Sequence, residues 1–145
     1  MRAPHPIILC GKTEAIGAVV IANLQPEFET IEFIQTVDAG KHIIPPLLRG
    51  ETPPPSSSSL GTKDFSRTPV AVVLGGAFDD HAIAELRTAA ERRGAKEVPW
   101  LRPDASKPAP PPGPEYGKAM VQRIKSRVKE LEANGELGQG GVVWF

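Results

Sequence analysis

The run Val70-Ala71-Val72-Val73-Leu74-Gly75 is the strongest constraint on what this chain can fold into. It is apolar on both faces, so a strand built from it sits in the middle of a sheet covered on both sides. Helices must supply the covers, and the flanking sequence provides them in alternation with further strands. Pro6 to Cys10 reads as a first strand. Glu14 to Leu24 reads as a helix, with Ile16, Val19 and Val20 along one face and Thr13 as its N-cap. Glu29 to Thr36 reads as a second strand, with Ile31 and Phe33 set against Glu29, Glu32 and Gln35. Asp38 to Leu48 holds a short helix that Pro45 and Pro46 must break or end. Beyond the apolar run, Asp79 to Arg93 is a helix facing inward with Ile83, Leu86 and Ala90 and ending at Gly94. Glu97 to Leu101 is a short strand, Glu115 to Ala133 the longest helix, and Val142 to Phe145 a candidate edge strand.

This alternation implies the α/β class: a parallel sheet with helices on both faces, in one domain over residues 1–145. Right-handed crossovers and a central third strand give the order 2-1-3-4, with 142–145 as a candidate fifth strand. That is a three-layer Rossmann-like sheet in the flavodoxin-like order, and its switch point falls between strands one and three. Two loops meet there, Gly11-Lys12-Thr13 and Gly75-Gly76-Ala77-Phe78-Asp79. A ligand cleft is expected between segments 10–17 and 75–81.

Composition narrows the partners. Lys plus Arg and Asp plus Glu balance at 17 each, so there is no basic field for nucleic acid and no acidic one for a cationic partner. Cys10 is the single cysteine, which rules out an internal disulfide and speaks against a cysteine-based zinc site. His5 and His42 stand alone and suggest no metal. The apolar run before Cys10 is too short for a signal peptide or a membrane span, so a cytoplasmic protein without membrane contact is expected. Proline is abundant, 16 of 145 residues, and clustered. Residues 51–68 read as a flexible Pro/Ser-rich loop and 103–114 as a Pro-rich linker of extended character.

The stretch Leu9-Cys10-Gly11-Lys12-Thr13-Glu14-Ala15-Ile16-Gly17 carries the clearest chemical signal. A strand that ends in glycine and turns into a helix offers unpaired N–H groups and a positive dipole end to a phosphate. Gly11, Lys12, Thr13, Gly17, Gly75 and Gly76 are therefore the candidate cofactor-binding residues. Asp38, beyond the second strand, is where a ribose-binding acid would lie; its plain alternative is a loop aspartate. Lys12 either neutralises a phosphate or carboxylate or is a solvated loop lysine. Glu14 stands where a close-approach glycine is expected. A carboxylate a few ångströms from a pyrophosphate costs on the order of 1–4 kcal/mol, whereas in a first helical turn it is favourable. For catalysis the candidates are Asp79 and His81 as an acid–base pair and Cys10 as an activated thiol. Their plain alternatives are an N-cap, a surface histidine and a small buried hydrophobe. Arg102 either reaches a ligand carboxylate bidentately or pairs with a surface acid.

Gly11-Lys12-Thr13-Glu14-Ala15-Ile16-Gly17 resembles the Gly-x-Thr-Gly-x-Ile-Gly fingerprint of atypical short-chain dehydrogenases, including the NmrA-like NAD(P)-binding proteins. Val98-Pro99-Trp100-Leu101-Arg102-Pro103 is similar to a strand ending in Leu-Arg-Pro late in that fold. The whole resembles a shortened member of that group, in the style of small Pro/Ser-rich fungal proteins. The resemblance implies NAD or NADP in the cleft, weakened by Glu14. It also implies a catalytic Tyr-x-x-x-Lys, which this chain lacks: Met120 stands four residues after Tyr116, and Lys118 points elsewhere on the helix. The expected function is thus a cleft for a nucleotide or small anionic metabolite without ordinary dehydrogenase catalysis. Two other readings stand beside it. One is an acid–base enzyme in the same cleft; the other is a structural or regulatory module forming a homodimer through the tail 140–145 or the edge strand.

Overall fold

The apolar run forms β3 (Ala71–Leu74), all four residues of which are buried. In the computed structural model, which describes residues 4–145, β3 lies at the centre of five parallel strands in the order β2-β1-β3-β4-β5. Its partners are β1 (His5–Cys10), β2 (Phe28–Ile34), β4 (Pro99–Arg102) and β5 (Gly141–Trp144). The sheet matches the expected order and adds the fifth strand, which borders the sheet with no strand beyond it among the described residues.

Strand alternation divides the core into two layers. Ile7 and Leu9 of β1 and Val73 of β3 pack beneath α1 (Glu14–Leu24) and α4 (Pro114–Ala133). Ile8, Cys10, Val72 and Leu74 point the other way, against α2 (Val37–Leu48) and α3 (Asp80–Arg92). Helices thus cover both faces in the Rossmann-like, three-layer arrangement. Helix α2 runs through Pro45 and Pro46, which were expected to break or end it sooner. The prolines fall in its last turn, and Arg49 and Glu51 donate N–H groups to the Pro45 and Pro46 carbonyls to close the end.

One irregularity changes the reading of β2. Ile7 pairs with Thr30 but Ile8 pairs with Glu32, so Ile31 is an extra residue forming a β-bulge. The bulge shifts the alternation: Ile31 packs in the α2/α3 layer and Phe33 in the α1/α4 layer, although a regular strand would place both on one face. The Pro/Ser-rich segment lies along this bulge. Thr62 and Lys63 donate backbone N–H groups to the Thr30 and Ile31 carbonyls at 2.9 and 3.0 Å. Gly61, at φ +94°, approaches so closely that a Cβ would meet the Ile31 carbonyl oxygen at 2.9 Å.

The same segment neutralises Glu32, a carboxylate only 1% exposed. Its Oε1 accepts from the Lys63 ammonium, from the Ser56 hydroxyl at 3.0 Å and from the Phe33 N–H at 3.1 Å. A buried charge stripped of its partner is strongly destabilising, while removing both charges together is far milder. Replacing Lys63 with Met should therefore lower stability by about 2 kcal/mol, below the fully buried limit because the ammonium is partly open to water. The Glu32→Gln/Lys63→Met double variant should regain much of that loss in urea denaturation; an additive double variant would refute the pairing.

Candidate functional site

Strands β1 and β3 end side by side, Cys10 opposite Leu74, and their outgoing loops are tied together. The Gly75 N–H donates to the Cys10 carbonyl at 2.8 Å, and a Cβ on Gly75 would stand 3.2 Å from that oxygen. On the α1/α4 side of this junction lies a cavity of about 240 Å3. Its walls are apolar, chiefly Ile16, Val20, Phe33, Val73, Met120 and Ile124, while Lys12, Thr13, Gly76 and Tyr116 bring polar groups to its lining. A second cavity of about 200 Å3 shares Gly76, Pro103, Tyr116 and Met120 with the first. It opens at the ends of β4 and β5, where Arg102, Lys107, Arg123, Asp104 and Trp144 line it.

The expected cofactor-binding residues divide in two. Gly11, Lys12, Thr13, Gly17, Gly75 and Gly76 all border the first cavity. Thr13 occupies the N-cap position of α1, but its hydroxyl makes no capping bond. Lys12 lies with its ammonium 4.9 Å from the Phe78 ring centroid. Gly17 serves packing first: a Cβ there would fall 2.7 Å from the Phe33 ring, so the missing side chain lets α1 close onto β2. Asp38 stands apart, exposed in the first turn of α2 and lining neither cavity. Glu14 turns toward the Pro/Ser-rich segment, where the Ser58 hydroxyl donates to its carboxylate at 3.2 Å, and it does not line the cavity.

The expected catalytic residues are not brought together. Asp79 caps α3, accepting from the Ala82 N–H at 2.8 Å. His81 is 84% exposed at its side chain and pairs with Glu85 at 2.7 Å, one turn along the helix. Neither residue lines the two cavities; Asp79 serves as a cap and His81 meets Glu85 on the helix surface. Cys10 is fully buried in the α2/α3 layer, and burial pushes its thiol from 9.0 up to about 12. Cys10 also borders the first cavity, but its burial disfavours the thiolate that nucleophilic chemistry requires.

Arg102 pairs with a surface acid, the second of its two sequence readings. Its Nη1 meets Asp80 Oδ1 at 2.5 Å, and its guanidinium stacks 4.2 Å from the Trp144 ring centroid. Asp104 nearby is held below its ordinary carboxylate range by the Ser106 hydroxyl and N–H, with Lys107 and Arg123 adding to the effect. Phe145, by contrast, is buried in its own α1/α4 core. Sequence reasoning missed Phe33, Met120, Ile124 and Arg123 as parts of the site. The signal for Met120 and Ile124 lay in the inward stripe of α4, which serves as core and cavity wall together. Among the described residues no group of His, Cys, Asp or Glu is placed to hold a metal ion, and no helix is long and apolar enough to cross a membrane.

A curated protein of Aspergillus oryzae (strain ATCC 42149 / RIB 40), Kojic acid related protein 6, is 35% identical to this chain over 139 residues. The match spans 94% of this chain and 84% of that relative. The chain belongs to the family of Kojic acid related protein 6. No protein-family model matches the chain, so membership of the short-chain dehydrogenases or NmrA-like proteins is not established. No solved structure matches it.

Two measurements test these assignments. A thiol that stays neutral in the fold but ionises near pH 9 when unfolded contributes stability that is present below pH 9 and lost as pH rises toward 12. Cys10→Val should flatten that alkaline limb, whose slope from this group approaches about 1.4 kcal/mol per pH unit. Native Cys10 should also resist iodoacetamide at pH 8. Gly17→Val should destabilise by about 1–3 kcal/mol through overpacking, and Phe33→Leu should recover part of it; no coupling between the two would disprove the contact.

Proposed function

We propose that this protein binds a small anionic metabolite at the carboxyl ends of β1, β3 and β4, and has no dehydrogenase chemistry of its own. The observation that carries this reading is a pair of adjoining cavities, an apolar one at the switch point and one edged with cations beside it at the ends of β4 and β5. Open α/β sheets take their ligands at that place. The resemblance of segment 11–17 to the NmrA-like fingerprint points to the same loop, and the start of α1 there has no side-chain cap.

Size favours a small ligand over a dinucleotide. The two adjoining cavities, of about 240 and 200 Å3, together reach only the lower part of the roughly 300–1,000 Å3 usual for drug-sized molecules. The cavities extend toward β4 and α4, whereas Asp38, the residue expected for a ribose, lies outside them. Asp79 and His81 also lie outside both cavities, so of the residues considered for acid–base chemistry only Lys12 and the buried, protonated Cys10 border the cleft. Kojic acid, in the name of the relative, is a single-ring molecule that belongs among the probes.

Thermal-shift measurements with kojic acid, small carboxylates, phosphate monoesters, ATP, FMN, NAD and NADP test the proposal. A small anion at a hundredfold excess over Kd should stabilise the fold by about 2.7 kcal/mol, read as several degrees in Tm. Ile124→Trp, which fills the apolar cavity, should abolish that shift. A larger shift with NAD or NADP than with any small anion would replace this reading with a dinucleotide site.

A further inference from the structure

Arg102 is set into the second cavity with part of its bonding capacity unused. Its side chain is only 16% exposed, and its buried Nε has no hydrogen-bond partner among the described residues. A buried guanidinium N–H left unpaired is costly, so the Arg102 fork is incompletely satisfied by the protein alone. The partner it does have, Asp80, is 88% exposed, so water weakens that pair. Arg123 and Lys107 line the same cavity; Arg123 donates one Nη2 bond to the Pro108 carbonyl. The carboxylate in this wall, Asp104, is already occupied by the Ser106 hydroxyl at 2.6 Å and its N–H at 3.0 Å. Three cations therefore face one committed anion.

The other half of the cleft is of opposite character. Past Gly76, Pro103, Tyr116 and Met120, which border both cavities, the walls are aliphatic and aromatic apart from Lys12 and Thr13. A single molecule filling both must carry an oxyanion at one end and an apolar body at the other. We propose that the ligand is an amphipathic organic acid, with its carboxylate or phosphate seated at Arg102 and Arg123 and its apolar body lying over β1 and β3 beneath Ile124. This inference rests on the cleft reading above and deepens it by naming the ligand class. Half-exposed Trp144 places its ring 4.2 Å from the Arg102 guanidinium, whose planar fork suits a two-oxygen acceptor.

Isothermal titration of the full chain with acetate, hexanoate, octanoate, octyl phosphate and 1-octanol provides the test. Octanoate or octyl phosphate should bind one to one, and the tighter of the two identifies the head group. Either should exceed acetate and 1-octanol by about tenfold or more, because one contrast removes apolar burial and the other the charged hydrogen bonds. Arg123→Gln should weaken the acid by about tenfold while leaving 1-octanol unchanged. Arg102→Gln provides a second variant of the same seat, with Tm measured alongside. Gly76→Val, whose side chain would crowd Tyr116 where the cavities meet, should reduce octanoate to the level of acetate.

Equal binding of octanol and octanoate, or unchanged octanoate affinity in both arginine variants, would overturn the inference. So would the absence of acid binding alongside stabilisation by ATP or a small phosphate that Ile124→Trp abolishes; that outcome leaves the cleft reading standing. Silence from every compound in both panels would remove both.

Discussion

Between Ile7 and Ile8 of β1 the partner strand passes over Ile31, and this bulge determines which way Phe33 faces. With the bulge in place, the Phe33 ring lies under α1, against the bare Cα of Gly17, and forms part of the cavity floor. Without it, alternation would send Phe33 into the α2/α3 layer and leave α1 without its support. The bulge in turn depends on the long segment between α2 and β3. Thr62 and Lys63 donate backbone N–H groups to the carbonyls of Thr30 and Ile31, the Lys63 ammonium neutralises Glu32, and the Ser56 hydroxyl donates to it. A charge pair remote from the cleft thus supports the geometry of its floor.

The cleft itself follows from strand parity. The last residues of β1 alternate between the two layers, so Leu9 packs in the α1/α4 core and the Cys10 side chain in the opposite one, while both residues border the cavity. The same rule places Val73 in the α1/α4 core and Leu74 in the opposite one. Cations enter from the other end of the sheet, where β4 finishes in Arg102 and β5 in Trp144, side by side in register. Parallel pairing puts all these carboxyl ends on one edge, which gathers an apolar pocket and a cationic one from residues distant in sequence.

Much of this architecture was legible in the sequence because it rests on periodicity. The unbroken apolar run from Val70 specified a central strand, and the stripes of α3 and α4 specified which faces turn inward. The location of the cleft followed from strand order alone. The bulge was not legible, since no residue in Phe28–Ile34 marks which position will be skipped. Nor was the placement of segment 51–68, because its bonds to Thr30, Ile31 and Glu32 join residues far apart in the chain. Asp79 and His81 misled for a local reason: an aspartate before a helix has its own N–H groups to satisfy, and a histidine four residues before a glutamate has a ready partner on the same face.

The two borders of the sheet are unequal. Across its bulge, β2 is covered by residues 62 and 63, while β5 ends the sheet with no neighbouring strand among the described residues. The outer edge of β5 is closed by a side chain instead, where Arg127 Nε donates to the Trp144 carbonyl at 3.1 Å. Unpaired backbone groups along a sheet border are a template for pairing with other chains, and loops or charged side chains laid along that border blunt it. The Lys63 and Ser56 contacts that hold the β2 bulge thereby also shield one border of the sheet.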